Sequence, residues 1–216
     1  VTIYYPANMS NENLKWETTK QINAGLDLGL WAGRVTFSVD YYYKRTSDLL
    51  INLPVPESTG YTTYTTNSGE VENKGLDLDL SGNILTGKLK WKASGNISFN
   101  RNKVLSFDGQ MQSFMGPSIS AVNNQPLNIA KVGYPIGSFY GYKIDGIYQT
   151  QEEIDNGPVD PANPVPGSFK FVDVNGDGSI TDADRTVIGN PSPDYIFGVN
   201  NDFTWKNFAL NVFIQG

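Results

Sequence analysis

The 216-residue chain contains no cysteine and no histidine. Without cysteine it can form no disulfide, thiolate metal site or thiol nucleophile, and the redox compartment stays open. Without histidine the commonest general base and metal ligand is absent, which excludes Ser/His/Asp catalysis within the chain. Positive charge is scarce too: 16 Lys and Arg stand against 22 Asp and Glu, a formal charge of -6. Phosphate binding needs clustered Lys and Arg to displace counterions, so nucleic acid is not an expected partner. The only basic cluster is Lys88, Lys90 and Lys92. No stretch approaches the ~18 consecutive apolar residues of a spanning helix, so any membrane crossing falls to strands.

Aromatics make up 12% of the residues, beside 22 Gly, a balance that favours strands and turns over helices. Four stretches in the first hundred residues alternate apolar and polar side chains. Ile22, Ala24, Leu26, Leu28 and Leu30 oppose Asn23, Gly25, Asp27 and Gly29. Val35, Phe37, Val39, Tyr41 and Tyr43 oppose Thr36, Ser38, Asp40, Tyr42 and Lys44. Leu76, Leu78, Leu80 and Ile84 oppose Asp77, Asp79, Ser81 and Asn83, with Gly82 a gap on the apolar side. Leu89, Trp91, Ala93, Ile97 and Phe99 oppose Lys88, Lys90, Lys92, Ser94, Asn96 and Ser98. A strand throws successive side chains to opposite faces, so this period predicts one greasy and one wet surface.

The connections alternate between short and long. Trp31-Ala32-Gly33, Leu85-Thr86-Gly87 and Trp205-Lys206-Asn207 are tight turns, the last joining strands over roughly Tyr195 to Thr204 and Phe208 to Gln215. Between the hairpins lie long loops over about 46–70 and 101–192. Short turns at one rim and long loops at the other characterise outer-membrane barrels, and strands of about ten tilted residues span a bilayer. Trp31 and Trp205 at the turns, and Tyr41, Tyr42 and Tyr43 toward the far end, suit interfacial girdles. The fold expected is all-β: an antiparallel transmembrane β-barrel segment over residues 1–216. Residues 101–192 are too long to be structureless and are expected to carry strands, with Ser138 to Gln149 foremost. If any of them span the membrane, they must come in pairs. The first residues, Val1 to Tyr5, and the last, Phe208 to Gly216, read as cut ends of a longer protein.

One local site stands out. Asp173-Val174-Asn175-Gly176-Asp177-Gly178-Ser179-Ile180-Thr181-Asp182-Ala183-Asp184 matches a twelve-residue calcium loop. Asp173, Asn175, Asp177 and Asp184 supply oxygens at positions one, three, five and twelve. Gly178 takes the sharp turn, Ser179 offers its carbonyl, and Thr181 acts through a water. Asp184 replaces the usual Glu at twelve and so has a shorter reach. The expected cofactor is structural Ca2+; the alternative is an Asp/Asn/Gly turn between two strands.

Several words of the chain carry a resemblance. Asn13 to Thr19 (NLKWETT), Asp40 to Leu50 (DYYYKRTSDLL), Asn67 to Gly75 (NSGEVENKG), Gly133 to Tyr142 (GYPIGSFYGY) and Asp173 to Pro191 (DVNGDGSITDADRTVIGNP) occur in the order found in the SusC/RagA family. This resembles the TonB-linked outer-membrane importers of Bacteroidetes. The resemblance implies the C-terminal part of a 22-stranded barrel, with a plug domain that lies outside this chain. It also implies uptake of oligosaccharides or peptides driven through TonB, which is engaged by the missing N-terminal part, and pairing with a SusD-type surface lipoprotein. The implied location is the outer membrane of a bacterial cell, in contact with its lipid.

Other candidates are weaker. Tyr61, Tyr64, Phe114 and Tyr140 in the long loops could stack on sugar rings or pack the loops themselves. Asp77 and Asp79 share a strand face, which reads as a solvated lumen wall rather than a catalytic pair. No catalytic constellation is recognisable, so an enzyme is not expected. The competing readings are a soluble secreted β-sandwich that binds carbohydrate with a calcium-stabilised loop, and a cell-surface adhesion module.

Overall fold

The computed structural model describes residues 9–107, 111–119 and 125–216. The first residues, Val1 to Tyr5, lie outside them. Strands β1 (Thr18–Leu30) and β2 (Val35–Ser47) form the first hairpin. A small hairpin of β3 (Leu50–Pro54) and β4 (Thr63–Asn67) follows, and then β5 (Glu70–Thr86) and β6 (Leu89–Ser106) form the second long hairpin. Eight short strands come next: β7 (Ser113–Met115), β8 (Ser118–Ile119), β9 (Gln125–Pro126), β10 (Asn128–Lys131), β11 (Ser138–Tyr142), β12 (Ile144–Ile147), β13 (Phe169–Phe171) and β14 (Arg185–Gly189). A one-turn helix, α1 (Gln151–Asp155), precedes β13. The chain ends on β15 (Ile196–Trp205) and β16 (Phe208–Gln215).

The chain divides into two units. The first holds an antiparallel sheet of six strands in the order β1-β2-β5-β6-β15-β16. Its register follows the hydrophobic alternation: Leu28 faces Phe37, Phe37 faces Leu80, Leu80 faces Gly95 and Gly95 faces Val199. A slip of one residue would reverse every face, so the pattern fixes the pairing. β6 pairs directly with β15, and none of the described residues between 107 and 195 adds a strand to this sheet. The β3–β4 hairpin rises from the 46–70 connection and is bound by residues 9–17: Asn67 Nδ2 of β4 donates to Lys15 O at 2.8 Å, and Glu17 Oε1 accepts from the N–H of Leu50 in β3 at 2.9 Å.

Three details differ from the expectations drawn from the sequence. β5 runs on to Thr86 through a bulge between Asn83 and Leu85, so Leu85 is not a turn residue but faces Trp91. The turn is Gly87-Lys88, which takes Lys88 off the strand and leaves Lys90 and Lys92 on the wet face. Tyr42 lies opposite Gly75 on the wet side, where its hydroxyl meets Asn100 Oδ1 at 3.0 Å, and so it is no part of an interfacial girdle.

The second unit covers Ser113–Lys131 and Pro135–Pro191. It contains a four-stranded sheet in the order β14-β11-β10-β7, and the separate ribbons β12–β13 and β8–β9. The expected strand over Ser138 to Gln149 is two short strands, β11 and β12. Its buried apolar side chains are Ile129, Tyr148 and Ile180.

Candidate functional site

Across the described residues the buried apolar core is five side chains: Val71, Val104, Ile129, Tyr148 and Ile180. A soluble sandwich of this length would bury far more, because it must hide one face of each sheet. Here the apolar face of the six-stranded sheet stays open: Ile22 is 70% exposed, Leu80 55%, Leu210 61% and Phe208 72%. That disposes of the carbohydrate-binding sandwich and requires a non-aqueous medium against this face. No helix among the described residues is long and apolar enough to cross a membrane.

The same face carries two aromatic belts. Near the short turns Trp91 stacks on Phe203 with centroids 5.5 Å apart, Trp205 on Phe208 at 6.5 Å, and Trp31 stands exposed in the first turn. Toward the long connections Tyr195 lies between Phe99 and Phe197, each 6.2 Å away, and Tyr41 occupies the row shared with Leu76 and Phe99. Beyond that row the face turns charged, with Lys74 opposite Arg101 and Arg101 bonded to Asp194 at 2.7 Å. Trp91 to Phe99 spans ~26 Å along a strand at ~3.3 Å per residue. A tilt of ~40° brings that to a height of ~20 Å, close to the ~25 Å apolar band of outer-membrane barrels. The sequence assigns Trp31, Trp205, Tyr41, Tyr42 and Tyr43 to the girdles; Phe99, Tyr195 and Phe203 are belt residues it does not assign, although the alternation of β6 and β15 places them on this face. Within the band, Gly82, Ala93 and Gly95 leave a depression of about 680 Å³ walled by Phe37, Leu78 and Phe197.

The opposite face is largely polar and internally hydrogen-bonded, with Ile196 and Phe213 as apolar exceptions. Ser38 donates to Asp27 at 2.5 Å, Thr36 and Ser81 hydroxyls meet at 3.0 Å, and Asn102 Nδ2 donates to Asn73 Oδ1 at 2.8 Å. Asn211 Nδ2 bridges Asn200 Oδ1 and Asp202 Oδ1 at 2.6 and 2.7 Å. Asp40 and Asp77 stand directly opposite one another, an arrangement tolerable only against water or counter-charge. Within the apolar band, among the described residues, one side-chain amide is present: Asn201, opposite Ala93, whose Oδ1 accepts from Trp91 Nε1 at 3.1 Å and so shields both polar groups beside the belt.

The loop aromatics divide between the two units. Tyr61 and Tyr64 belong to the first unit, with Tyr64 opposite Leu53 in the small hairpin. Phe114 and Tyr140 belong to the second, and the Tyr140 ring is occupied by the Arg185 guanidinium at 4.8 Å.

The Asp173–Asp184 segment folds as a chain of side-chain-to-backbone turns. Asp173 accepts from the N–H groups of Gly176 at 2.7 Å, Asp177 at 3.3 Å and Gly178 at 2.7 Å. Asn175 Oδ1 accepts from Asp177 N–H, and Asp177 Oδ1 from Ser179 N–H, both at 2.9 Å. Gly178 sits at φ 82°, as the sharp turn requires. The loop is pinned to the neighbouring segment by Val159, whose N–H donates to Gly178 O at 2.9 Å and whose carbonyl accepts from Ile180 N–H at 2.8 Å. Thr181 caps the turn Asp182–Asp184.

Against this geometry the calcium donor set fits only in part. Asn175, Asp177 and Thr181 are exposed and Asp173 and Ser179 half-buried, but Asp184 is fully buried. Its Oδ1 accepts from the N–H groups of Val174 at 2.8 Å and Asn175 at 3.3 Å; its Oδ2 accepts from Thr181 N–H at 2.7 Å and Thr181 Oγ1 at 3.4 Å. These backbone donors, that of Thr181 foremost, hold its carboxyl below the usual range even though burial opposes them. Among the described residues no three acidic side chains converge as a metal-binding group.

With both faces and the loop described, comparison with known proteins gives one consistent result. Residues 2–212 match the family model for the TonB dependent receptor-like β-barrel. Curated relatives include TonB-dependent receptor P3 of Formosa agariphila, 38% identical over 96% of this chain and 21% of its own length. TonB-dependent receptor SusC of Bacteroides thetaiotaomicron is 35% identical over 93% of this chain and 19% of its own. Among solved structures, the RagAB peptide transporter superposes with a TM-score of 0.72 at 27% identity, over 96% of this chain and 22% of that one. The chain thus spans about a fifth of the length of the relatives it matches. An antiparallel sheet with lipid on one side is what such barrels are built from, and the chain belongs to the TonB-dependent receptor-like β-barrel family, as an outer-membrane protein of the SusC/RagA type.

Proposed function

We propose that this chain forms part of the wall of an active importer in the outer membrane, one that admits oligosaccharide cargo and draws its energy through TonB. The observation that carries the reading is the division of one sheet into an exposed apolar face banded by two aromatic belts and a hydrogen-bonded polar face. The wet face includes a recess of about 260 Å³ lined by the Asp79 carboxylate, Phe213 and a set of neutral hydroxyls and amides, among them Thr36, Ser38, Ser81, Ser94 and Asn200. Such groups exchange hydrogen bonds with sugar hydroxyls without requiring a charged ligand. The peptide transporter among the structural neighbours makes short peptides the competing cargo. A SusD-type surface lipoprotein is the proposed partner. The role is transport rather than catalysis.

The test is uptake of labelled oligosaccharides and peptides by cells that carry or lack the full-length protein, with the proton gradient intact or collapsed. Gradient-dependent saccharide uptake lost in the deletion strain is the expected result. Peptide uptake with the same dependence would transfer the reading to peptides, and uptake insensitive to the gradient would end it. Co-purification of a lipoprotein with the membrane-extracted protein tests the partner separately.

A further inference from the structure

The Asp173–Asp184 segment has the spacing of a calcium loop but not the disposition of one. In a cation loop the residue at position twelve gives its carboxylate to the metal as a bidentate ligand. Here that residue, Asp184, is fully buried, and its two oxygens together take four contacts, three of them from backbone N–H groups. Each oxygen takes one short bond, from Val174 N–H at 2.8 Å and Thr181 N–H at 2.7 Å, with longer contacts from Asn175 N–H and Thr181 Oγ1 at 3.3 and 3.4 Å, so both oxygens are engaged by the chain itself. The shorter side chain of Asp, set against the usual Glu, accounts for this: it ends at the backbone of Val174, Asn175 and Thr181 instead of reaching a metal at the centre of the loop.

We propose that Asp184 takes the place of the cation, closing the loop through backbone N–H groups so that it folds and stays closed without calcium. The carboxylate draws the start of the loop, Val174 and Asn175, onto its end at Thr181, so the departing and returning strands β13 and β14 are held at their roots by one residue. Asp173 performs the same task for the middle of the loop by accepting from Gly176, Asp177 and Gly178. Asp177 is exposed and accepts only from Ser179 N–H and the Asn175 amide, so closure does not depend on it. In a calcium loop, by contrast, Asp177 would be a direct ligand beside Asp173 and the bidentate Asp184, and closure would depend on it.

Hydrogen–deuterium exchange of residues 172–184 in the full-length protein separates the two cases and does not depend on transport. With the native sequence, protection of the Val174, Asn175 and Thr181 amides is expected to be the same in excess chelator and in millimolar calcium. Asp184→Asn is expected to speed exchange at those amides by about tenfold or more, the loss of charge-assisted hydrogen bonds, with or without calcium. Asp177→Asn is expected to leave it unchanged. Chelator-sensitive protection in the native protein overturns the proposal, as does Asp177→Asn opening the loop as far as Asp184→Asn. Should Asp184→Asn fail to assemble, the chelator arm on the native protein and the Asp177→Asn arm still decide.

Discussion

Leu80 in the six-stranded sheet and Ile188 in β14 of the second unit are exposed to nearly the same degree, 55% and 52%. Equal exposure has different meanings in the two places. Leu80 lies in the middle of a continuous apolar band, bounded by aromatic rows on both sides and flanked by Phe37 and Gly95 on the adjoining strands. Ile188 belongs to a five-residue strand in a unit whose buried apolar side chains are Ile129, Tyr148 and Ile180. One exposed aliphatic faces hydrocarbon; the other is a scattered surface residue of the ordinary kind. Exposure acquires meaning only from what surrounds it.

Substituting Arg at both positions is the sharpest way to break that comparison. Leu80→Arg is expected to cost ~2–4 kcal/mol, the penalty for a cation near the midplane of an outer-membrane barrel. Ile188→Arg is expected to stay within ~0.5 kcal/mol, as surface substitutions away from special features do. Denaturant unfolding of the full-length protein in lipid vesicles reads both. A small cost at Leu80 would mean that this face is covered by protein or water, and the belts would need another explanation.

A smaller effect is expected from the wet face. The Cβ of an alanine at Gly75 would stand 2.5 Å from the Tyr42 ring, which lies across that glycine and bonds Asn100. The ring must swing aside and give up its bond to Asn100, so Gly75→Ala is expected to cost ~1–3 kcal/mol, the range for overpacking. Tyr42→Ala in the same chain should recover most of the loss, since it removes the clash. If the double variant is no better than Gly75→Ala alone, the glycine is required by something other than the ring. The contrast is with Gly82 on the apolar side, where an added Cβ meets Val35 Cγ2 at 3.4 Å, an ordinary contact, and Gly82→Ala should be near neutral.

Much of the sheet was legible in the sequence, and for a physical reason: strands of 10 to 18 residues in this unit repeat the period of two often enough to fix face and register together. The misreadings fall where that period breaks. The bulge at Ile84 shifts Leu85 onto the apolar side and pushes Lys88 into the turn, and three tyrosines in a row cannot all face one way. The second unit was far less legible. Its strands have two to five residues, too few for a period, and their partners are distant, as β11 with β14 and β10 with β7. The calcium spacing was plain, but where Asp184 points was not, because its partners are backbone N–H groups that every sequence possesses.

The smallest effect belongs to the turn between β1 and β2. Trp31 and Ala32 both adopt positive φ, 51° and 55°, closed by Arg34 N–H donating to Trp31 O at 3.2 Å. A side chain in this left-handed region costs ~1–2 kcal/mol relative to the right-handed one. Glycine avoids that cost but loses more freedom on folding, which returns ~0.4–1 kcal/mol of it. Ala32→Gly is therefore expected to stabilise the hairpin by ~0.5–1 kcal/mol. Trp31→Gly relieves the same strain but removes an indole that is 74% exposed beside the lower belt. In vesicles that indole lies at the membrane interface, where Trp is favoured, and its loss offsets the relief; in detergent micelles the offset should shrink. The difference between Ala32→Gly and Trp31→Gly, measured in both media, isolates how much the belt contributes at a single residue. Equal values in vesicles would mean that Trp31 has no interfacial role and that the belt begins at Trp91 and Trp205.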